Sequence, residues 1–298
     1  MCRTRCVSLM FSLFVLASFA PSTALGEAKV MVIGDSWPAG YAGNLEAQFA
    51  AYGHGTWKVK NSAIPGSTAR AWADDVGSVL SLVILDLNLN PSIQYVVVSL
   101  GGNDLHGGFP YNQIEQDLRT VVGRLSGETY WLQGILLPGY DILDWDQSND
   151  CLLLAAALFG SVLPGVINPL YMEIGTRQGI VAAEFPKATY LNLWGTGQGN
   201  PGSPNIHAFS PAGYVAEDCV HLTGTGYSTF TREIYCRYFA PVAFGESCDT
   251  SPGWSAVPGA TADSTLHGRS SRVNGIVFLV LIPLAATGVW KHRLKRRA

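Results

Sequence analysis

Short apolar runs rich in β-branched residues alternate along this chain with longer stretches of helical periodicity. The runs that predict strands are residues 29–33, 57–61, 93–100, 129–137 and 188–193. The stretches that predict helices are residues 44–51, 67–87, 111–125, 170–183 and a closing helix at 227–239. This strict alternation, with a run at 93–100 that is apolar on both faces, predicts an α/β domain with helices on both faces of a parallel sheet.

A further apolar run lies at residues 152–159, between the fourth and fifth predicted strands. Helix-breaking residues interrupt the chain soon after it, at Gly160, Pro164, Gly165 and Pro169. The run is therefore not expected to cross a membrane as one helix. Two interpretations stay open for it: a lid or wall of an acyl pocket, and an ordinary helix of the core.

Both ends of the chain differ from the middle. Residues 1–26 combine Arg3 and Arg5 with an apolar run at 7–20 and small residues near the end, which is typical of a secretory signal peptide.

Residues 273–290 are apolar and run into a basic end at 291–297, which predicts a single-pass membrane anchor within segment 273–298 whose end faces the cytoplasm. A sorting tail that is removed after export is the alternative. Residues 249–272, rich in Ser, Gly, Pro and Thr, predict a flexible stalk, so 27–248 form the exported domain.

Composition and charge narrow the possible partners. With 48% hydrophobic and 14% charged residues, the chain is not a disordered or low-complexity protein. Nine of the 19 Lys and Arg residues lie before residue 27 or after 268, whereas all 22 acidic residues lie between. The intervening segment thus carries ten basic groups against 22 acidic ones, a net charge of -12, which repels phosphate backbones. We expect no nucleic-acid partner.

Export would place the cysteines of the domain in an oxidising compartment. Cys2 and Cys6 would leave with the signal peptide, and the remaining four are expected to form disulfides, with the pairing left open. These four are Cys151, Cys219, Cys236 and Cys248.

The sequence predicts no metal or cofactor. The cysteines contain no C-x-x-C pair, so a zinc site is not expected. Residues 144–150 alternate like a calcium loop, but Asn149 stands where such a loop needs glycine and Ala155 where it needs glutamate. We interpret this stretch as an exposed acidic loop.

Candidate chemistry lies just after the predicted strands, where parallel α/β sheets bind their ligands. Residues 34–37 (GDSW) follow the first strand and residues 61–66 (NSAIPG) follow the second. Residues 101–104 (GGND) follow the third, and residues 218–221 (DCVH) lie on the long connection after the fifth. Each segment also has a simpler explanation, as a helix cap, a turn or an ordinary histidine. Their common position after strands favours a single site.

The four segments together contain the groups of a serine hydrolase. Ser36 would be the nucleophile, His221 the base that takes its proton, and Asp218 the acid that orients the histidine ring. The backbone N–H groups of Ser36 and Gly66 and the side-chain amide of Asn103 could form the oxyanion hole. Glycine at position 66 lets the backbone approach the substrate.

These residues resemble the SGNH or GDSL hydrolases, over roughly residues 28–240, with Ser36, Gly66, Asn103 and His221 as the four residues of the family name. The resemblance implies a three-layer α/β/α sandwich of flavodoxin-like strand order, with Ser36 as nucleophile and Asp218 as the triad acid. Two positions depart from the family pattern. Trp37 replaces a leucine, which we expect to reshape the pocket entrance, and Ala63 replaces a frequent glycine.

The leading hypothesis is therefore an exported, membrane-tethered serine esterase that cleaves acyl esters through an acyl-enzyme and needs no cofactor. Its substrate would be a small-molecule, glycan or lipid ester, with the acyl chain, the alcohol and the oligomeric state left open. His106 could line the pocket, or be a loop histidine that faces water. An acyltransferase that uses a carbohydrate hydroxyl, or a surface binding module without turnover, are the alternatives.

Overall fold

A five-stranded parallel sheet forms the centre of the structure, a computed structural model that describes residues 27–139, 149–161, 164–193, 216, 218 and 220–248. The strand order is β2-β1-β3-β4-β5 and every neighbouring pair is parallel, which is the flavodoxin-like order. The strands are β1 (Ala28–Gly34), β2 (Lys58–Asn61), β3 (Tyr95–Ser99), β4 (Gly134–Pro138) and β5 (Ala188–Leu191).

Helices cover the sheet in two groups, which gives the three layers that were expected. α1 (Ser36–Ala51), α8 (Gly224–Ile234) and the π-helix Tyr235–Phe244 pack against one another. The helices of the second group are α2 (Ala69–Ala73), α3 (Val79–Leu89), α4 (Gly102–His106), α5 (Tyr111–Glu128), α6 (Asn149–Phe159) and α7 (Pro164–Glu184), and a 3-10 turn spans Val76–Ser78. In this group α5 contacts α2, α3 and α7, and α7 also contacts α4. Phe159 of α6 contacts Tyr171 of α7.

The strands are buried as the apolar runs predicted. All five residues of β3 and all five of β4 are buried, because helices cover both faces of these inner strands. The pairing of β1 with β3 ends at Gly34 opposite Ser99. The carboxyl ends of the two central strands are therefore side by side, directly below the loops that carry the candidate site.

The stretch predicted to be mostly helical at 67–87 is helical in three separate pieces, because the backbone leaves the right-handed conformation between them. Asp75 and Ser78 have φ values of 53° and 60°, which no right-handed helix contains. The Asp75 carboxylate accepts the N–H of Ser81 at 3.1 Å and also bonds the Ser81 hydroxyl. These side-chain bonds stabilise the kink, and they divide the segment into α2, the 3-10 turn and α3.

Other boundaries also differ from the prediction, three of them for reasons that the structure shows. The first helix begins eight residues earlier, at Ser36, because Asp35 caps it there. The fourth strand begins at Gly134, not at 129, since α5 continues to Glu128 and the Thr129 hydroxyl bonds the carbonyl of Leu125. The closing helix widens into a π-helix that contains Pro241, whose missing N–H breaks α-helical bonding.

The predicted signal peptide, stalk and anchor at 1–26, 249–272 and 273–298 lie outside the described residues. Within the described part of the chain, no helix is long and apolar enough to cross a membrane. Cys236 and Cys248 are joined by a disulfide. Cys219 and the side chain of Cys151 lie outside the description, as do residues 144–148 of the acidic stretch.

Candidate active site

The turn after β1 places Ser36 at the start of a helix. Gly34 has a φ of 130°, and a Cβ on it would come within 1.9 Å of the Ser99 carbonyl oxygen, so only glycine fits. Asp35 then caps α1 by accepting the N–H of Trp37 at 2.9 Å. Ser36 is the first helical residue, and its N–H therefore has no partner within the helix and lies at the positive end of the helix dipole.

Ser36, His221 and Asp218 form a continuous chain of hydrogen bonds. The Ser36 Oγ lies 2.6 Å from His221 Nε2, and His221 Nδ1 lies 2.6 Å from Asp218 Oδ2. The other carboxylate oxygen of Asp218 accepts the backbone N–H of His221 at 2.9 Å and that of Val220 at 3.0 Å. Asp218 therefore orients both the histidine ring and the loop that carries it.

The hydrogen bonds of Asp218 shift the pKa values of both Asp218 and His221 in the directions that a catalytic base requires. Its hydrogen bond to His221, followed by those to the two backbone N–H groups, keeps the pKa of Asp218 well below its usual range despite partial burial. The same hydrogen bond raises the pKa of His221 above its ordinary value, against the opposing effect of desolvation. Asp218 thus stays ionised and stabilises a protonated His221.

The second candidate donor lies on a tight turn after β2. Ser67 donates its N–H to the Ile64 carbonyl at 3.1 Å, which closes a turn with Pro65 and Gly66 at its centre. Gly66 has a φ of 80°, the conformation that the third position of a type II turn requires. Glycine is thus needed here for the turn as well as for access to the substrate.

Asn103, the third candidate donor, is fixed to that turn. Its Nδ2 donates to the Ser67 carbonyl at 2.9 Å. An amide nitrogen has two hydrogens, so this bond sets the orientation of the amide and leaves the second hydrogen for a substrate oxygen. The structure therefore ties Asn103 to the turn that carries Gly66.

Asp104 is a residue of the site that sequence reasoning missed, because its segment was weighed only as a turn or an oxyanion donor. Its fully buried carboxylate accepts the N–H of Ala69 at 2.7 Å and that of Arg70 at 3.2 Å, at the start of α2. Burial raises its pKa, and these two bonds oppose the rise. Asp104 therefore fixes the segment after the Gly66 turn to α4, the helix that carries Asn103.

Trp37, which stands where the family pattern has leucine, is buried. Its ring is 4% exposed and contacts Tyr227 and Phe230 edge-on, at centroid distances of 6.1 and 5.4 Å. Its Nε1 donates to the Val220 carbonyl at 3.0 Å. Trp37 thus connects the residue after the nucleophile with the residue before His221.

Loss of this bond should slow the reaction while the substrate still binds. Trp37→Phe keeps the ring contacts but frees the 216–221 loop, so we expect kcat to fall about tenfold with KM nearly unchanged. Trp131→Phe is the matched control, since the buried Trp131 N–H has no partner among the described residues. Steady-state kinetics on an ester checks this, and equal rates for Trp37→Phe and Trp131→Phe would contradict the role of Trp37.

His106 is half-buried at the end of α4, so it is not a loop histidine that faces water. Its Nε2 lies 2.5 Å from the Tyr171 hydroxyl, and its ring contacts Phe159. Phe159 ends α6, the helix that the run at 152–159 forms. The described residues contain no cluster of three or more His, Cys, Asp or Glu side chains that could hold a metal ion.

The strand order and the helical layers on both faces of the sheet agree with the fold that the sequence resemblance implied. The chain belongs to the GDSL-like Lipase/Acylhydrolase family, whose model matches residues 32–228. The resemblance inferred from the sequence motifs is thereby confirmed, and membership supports ester hydrolysis as the activity. No curated protein matches the chain at a significant level.

Solved structures of similar fold include several ester hydrolases. TesA is 18% identical, with 72% of this chain and 98% of that chain covered and a TM-score of 0.48. A catalytic mutant of Axe2, an acetylxylan esterase from Geobacillus stearothermophilus, is 16% identical, with coverage of 70% and 94% and a TM-score of 0.48. The lipase/acylhydrolase from Enterococcus faecalis is also 16% identical, with coverage of 69% and 93% and a TM-score of 0.45.

Proposed function

We propose that the protein is an exported serine esterase that hydrolyses carboxylic esters through an acyl-enzyme intermediate. The observation that carries this proposal is the unbroken path from Ser36 Oγ through His221 to Asp218, with 2.6 Å at both steps. Nucleophile and base lie within hydrogen-bond reach, and a carboxylate orients the base, which is the arrangement that activates a serine. The family match supports the ester as substrate class.

The reaction would proceed in two halves. In the first, Ser36 Oγ attacks the ester carbonyl carbon while His221 Nε2 takes the hydroxyl proton, and the carbonyl oxygen becomes an oxyanion. Donors from Ser36, Gly66 and Asn103 stabilise this negative charge. His221 then gives the proton to the leaving alcohol. In the second half, water attacks the acyl group by the same steps and releases the acid and free Ser36.

The pH dependence should report the ionisation of His221. Its ring must be neutral to accept the serine proton, and the hydrogen bond to Asp218 raises its pKa above the ordinary value of a histidine. We therefore expect kcat/KM to rise with pH to a plateau, with a midpoint above that of an unperturbed histidine, and Asp218→Asn to lower both the midpoint and the rate. Burial lowers the pKa of His106 to about 4, so this ring does not titrate in the same range. A rate that falls as pH rises through neutrality would contradict the role of His221.

An ester panel tests hydrolysis against the two alternatives. The full-length protein is assayed with p-nitrophenyl esters from acetyl to long acyl, with and without an added sugar as acceptor. A binding module would give no p-nitrophenol, whereas an acyltransferase would release it faster with the sugar and yield acylated sugar. We expect release that does not depend on the sugar, with free acid as the product.

Export and membrane attachment are part of the same proposal. They rest on the pattern at 1–26 and on the apolar run at 273–290 followed by basic residues. We expect the protein to resist alkaline carbonate extraction, and protease added outside to release an active fragment by cutting within 249–272. Mass spectrometry of the mature C-terminus separates an anchor, ending at Ala298, from a removed sorting tail. An uncleaved N-terminus with all activity inside the cell would contradict export.

A further inference from the structure

Three aromatic rings contact one another where α4, α6 and α7 meet. The ring centroid of His106 lies 5.7 Å from that of Phe159 and 6.0 Å from that of Tyr171, and the last two lie 5.8 Å apart. All three contacts are edge-on, at distances of direct packing. No acyl chain can pass between rings that touch in this way. We call these three residues the ring wall.

The ring wall lies beside the oxyanion donor. His106 follows Asn103 by three residues on α4, so the two side chains share one face of that helix. On α7, Gln178 Nε2 donates to the Leu100 carbonyl at 3.4 Å, and Ile174 lies where a Cβ on Gly101 would come within 3.0 Å.

Tyr171 lies one turn before Ile174 on the same face of α7. This face of α7 therefore contacts Leu100 directly after β3, then Gly101, and then His106 at the end of α4. The ring wall therefore lies on the side of α4 that also carries Asn103, and Tyr171, which is 2% exposed, connects it to the core.

The charges of the wall suit an apolar substrate group. Burial, with the nearby His221 as a smaller cause, keeps the pKa of His106 low, and burial raises that of Tyr171. Tyr171 thus keeps its proton, and its hydroxyl shares a hydrogen bond with a neutral His106. The wall carries no charge at the pH where His221 acts as a base.

The geometry of the tetrahedral intermediate decides which part of the ester meets this wall. Of the four groups on the reacting carbon, one is Ser36 Oγ and one is the oxyanion, which points to Asn103. The leaving alcohol must face His221, which gives it a proton. The acyl chain is the group that remains, and it extends from the carbon past the oxyanion donor.

We propose that the ring wall of His106, Phe159 and Tyr171 closes the acyl side of the site and restricts the enzyme to short acyl groups. This inference rests on the proposed esterase function. The wall determines specificity and takes no part in proton transfer, because the triad is complete without it. Each extra methylene that a closed pocket cannot hold costs roughly one to two orders of magnitude in kcat/KM.

The test compares acyl-chain preference between variants of the full-length protein. The quantity is the ratio of kcat/KM for p-nitrophenyl octanoate to that for the acetate. Phe159→Ala and His106→Ala each open the wall from a different helix, and each should raise the ratio at least about tenfold. Tyr171→Phe keeps the ring and should leave the ratio near that of the wild type.

Tyr130→Ala is the matched control. Tyr130 is an aromatic residue that is 81% exposed and precedes β4, at the amino ends of the parallel strands, whereas the candidate site lies at their carboxyl ends. Its removal should leave both the ratio and the rate unchanged.

The outcomes separate the two proposals. A wild type that prefers acetate, with ratios shifted only by Phe159→Ala and His106→Ala, supports the wall. A wild type that hydrolyses esters but shows the same ratio in every folded variant overturns the wall and leaves the esterase standing. A wild type that hydrolyses no ester of any chain length overturns both. If Tyr130→Ala changes the octanoate-to-acetate ratio as much as Phe159→Ala does, the wall is also overturned. The change would then not depend on where in the structure the aromatic ring is removed.

Discussion

Replacement of Ser36 by alanine is expected to lower kcat by about a thousandfold or more while the protein stays folded. The hydroxyl that this change removes is the only nucleophile within 2.6 Å of His221 Nε2 among the described residues. Without it, His221 and Asp218 have no proton to move, so the triad fails as a unit. Loss of one oxygen at the first turn of α1 disturbs little packing, so the melting temperature should change little.

Steady-state kinetics on p-nitrophenyl acetate and a thermal melt measure these two effects. Ser92→Ala is the control, because Ser92 lies in the segment before β3, at the amino ends of the parallel strands and so away from the site at their carboxyl ends. It should retain the wild-type rate. Near-normal turnover in Ser36→Ala would contradict the nucleophile assignment and, with it, the mechanism.

Replacement of Asn103 by alanine is expected to lower kcat by roughly a hundred- to a thousandfold with little change in KM. The side-chain amide of Asn103 donates one hydrogen to the Ser67 carbonyl, and its second hydrogen is available for the substrate. An oxyanion-hole donor matters most once the oxygen carries its charge, so ground-state binding changes little. Loss of the bond to Ser67 also loosens the turn that carries Gly66, which affects the same oxyanion.

A transition-state analogue distinguishes the two possible roles of Asn103. If it is an oxyanion donor, the affinity for a boronic acid that forms a tetrahedral adduct should fall in parallel with kcat/KM. Asp104→Asn is the comparison, since it keeps an acceptor near the N–H groups of Ala69 and Arg70 and leaves Asn103 in place. It should have the milder effect. A pure rise in KM in Asn103→Ala would instead make Asn103 a ground-state binding residue.

The strands of the sheet could be predicted well because each one has a recognisable pattern within a few consecutive residues. Buried parallel strands need apolar residues on both faces, and each of the five predicted runs overlaps an observed strand. The places where the mostly helical stretch at 67–87 breaks could not be predicted, because they depend on contacts outside it. The break depends on the Asp75 carboxylate, which bonds Ser81 six residues later and lies 3.1 Å from Arg124 on another helix. Tertiary contacts overrode local preference there.

The candidate site likewise has one part that the sequence predicts and another part that only the structure shows. Its four segments could be found because each is short and lies after a strand, and parallel topology brings such ends together. The supporting contacts could not be found. Trp37 bonds a carbonyl 183 residues away, and Asp104 bonds two N–H groups about 35 residues before it. No spacing rule indicates such pairs, and only the folded chain brings them into contact.

Covalent labelling tests the central claim most directly. The full-length protein is treated with a fluorophosphonate, digested, and analysed by mass spectrometry to locate the adduct. We predict one phosphonylated residue, Ser36, with labelling that rises with pH as His221 loses its proton and that disappears in Ser36→Ala. An unmodified Ser36 in a protein that is active on esters, or an adduct on a different serine, would contradict the account.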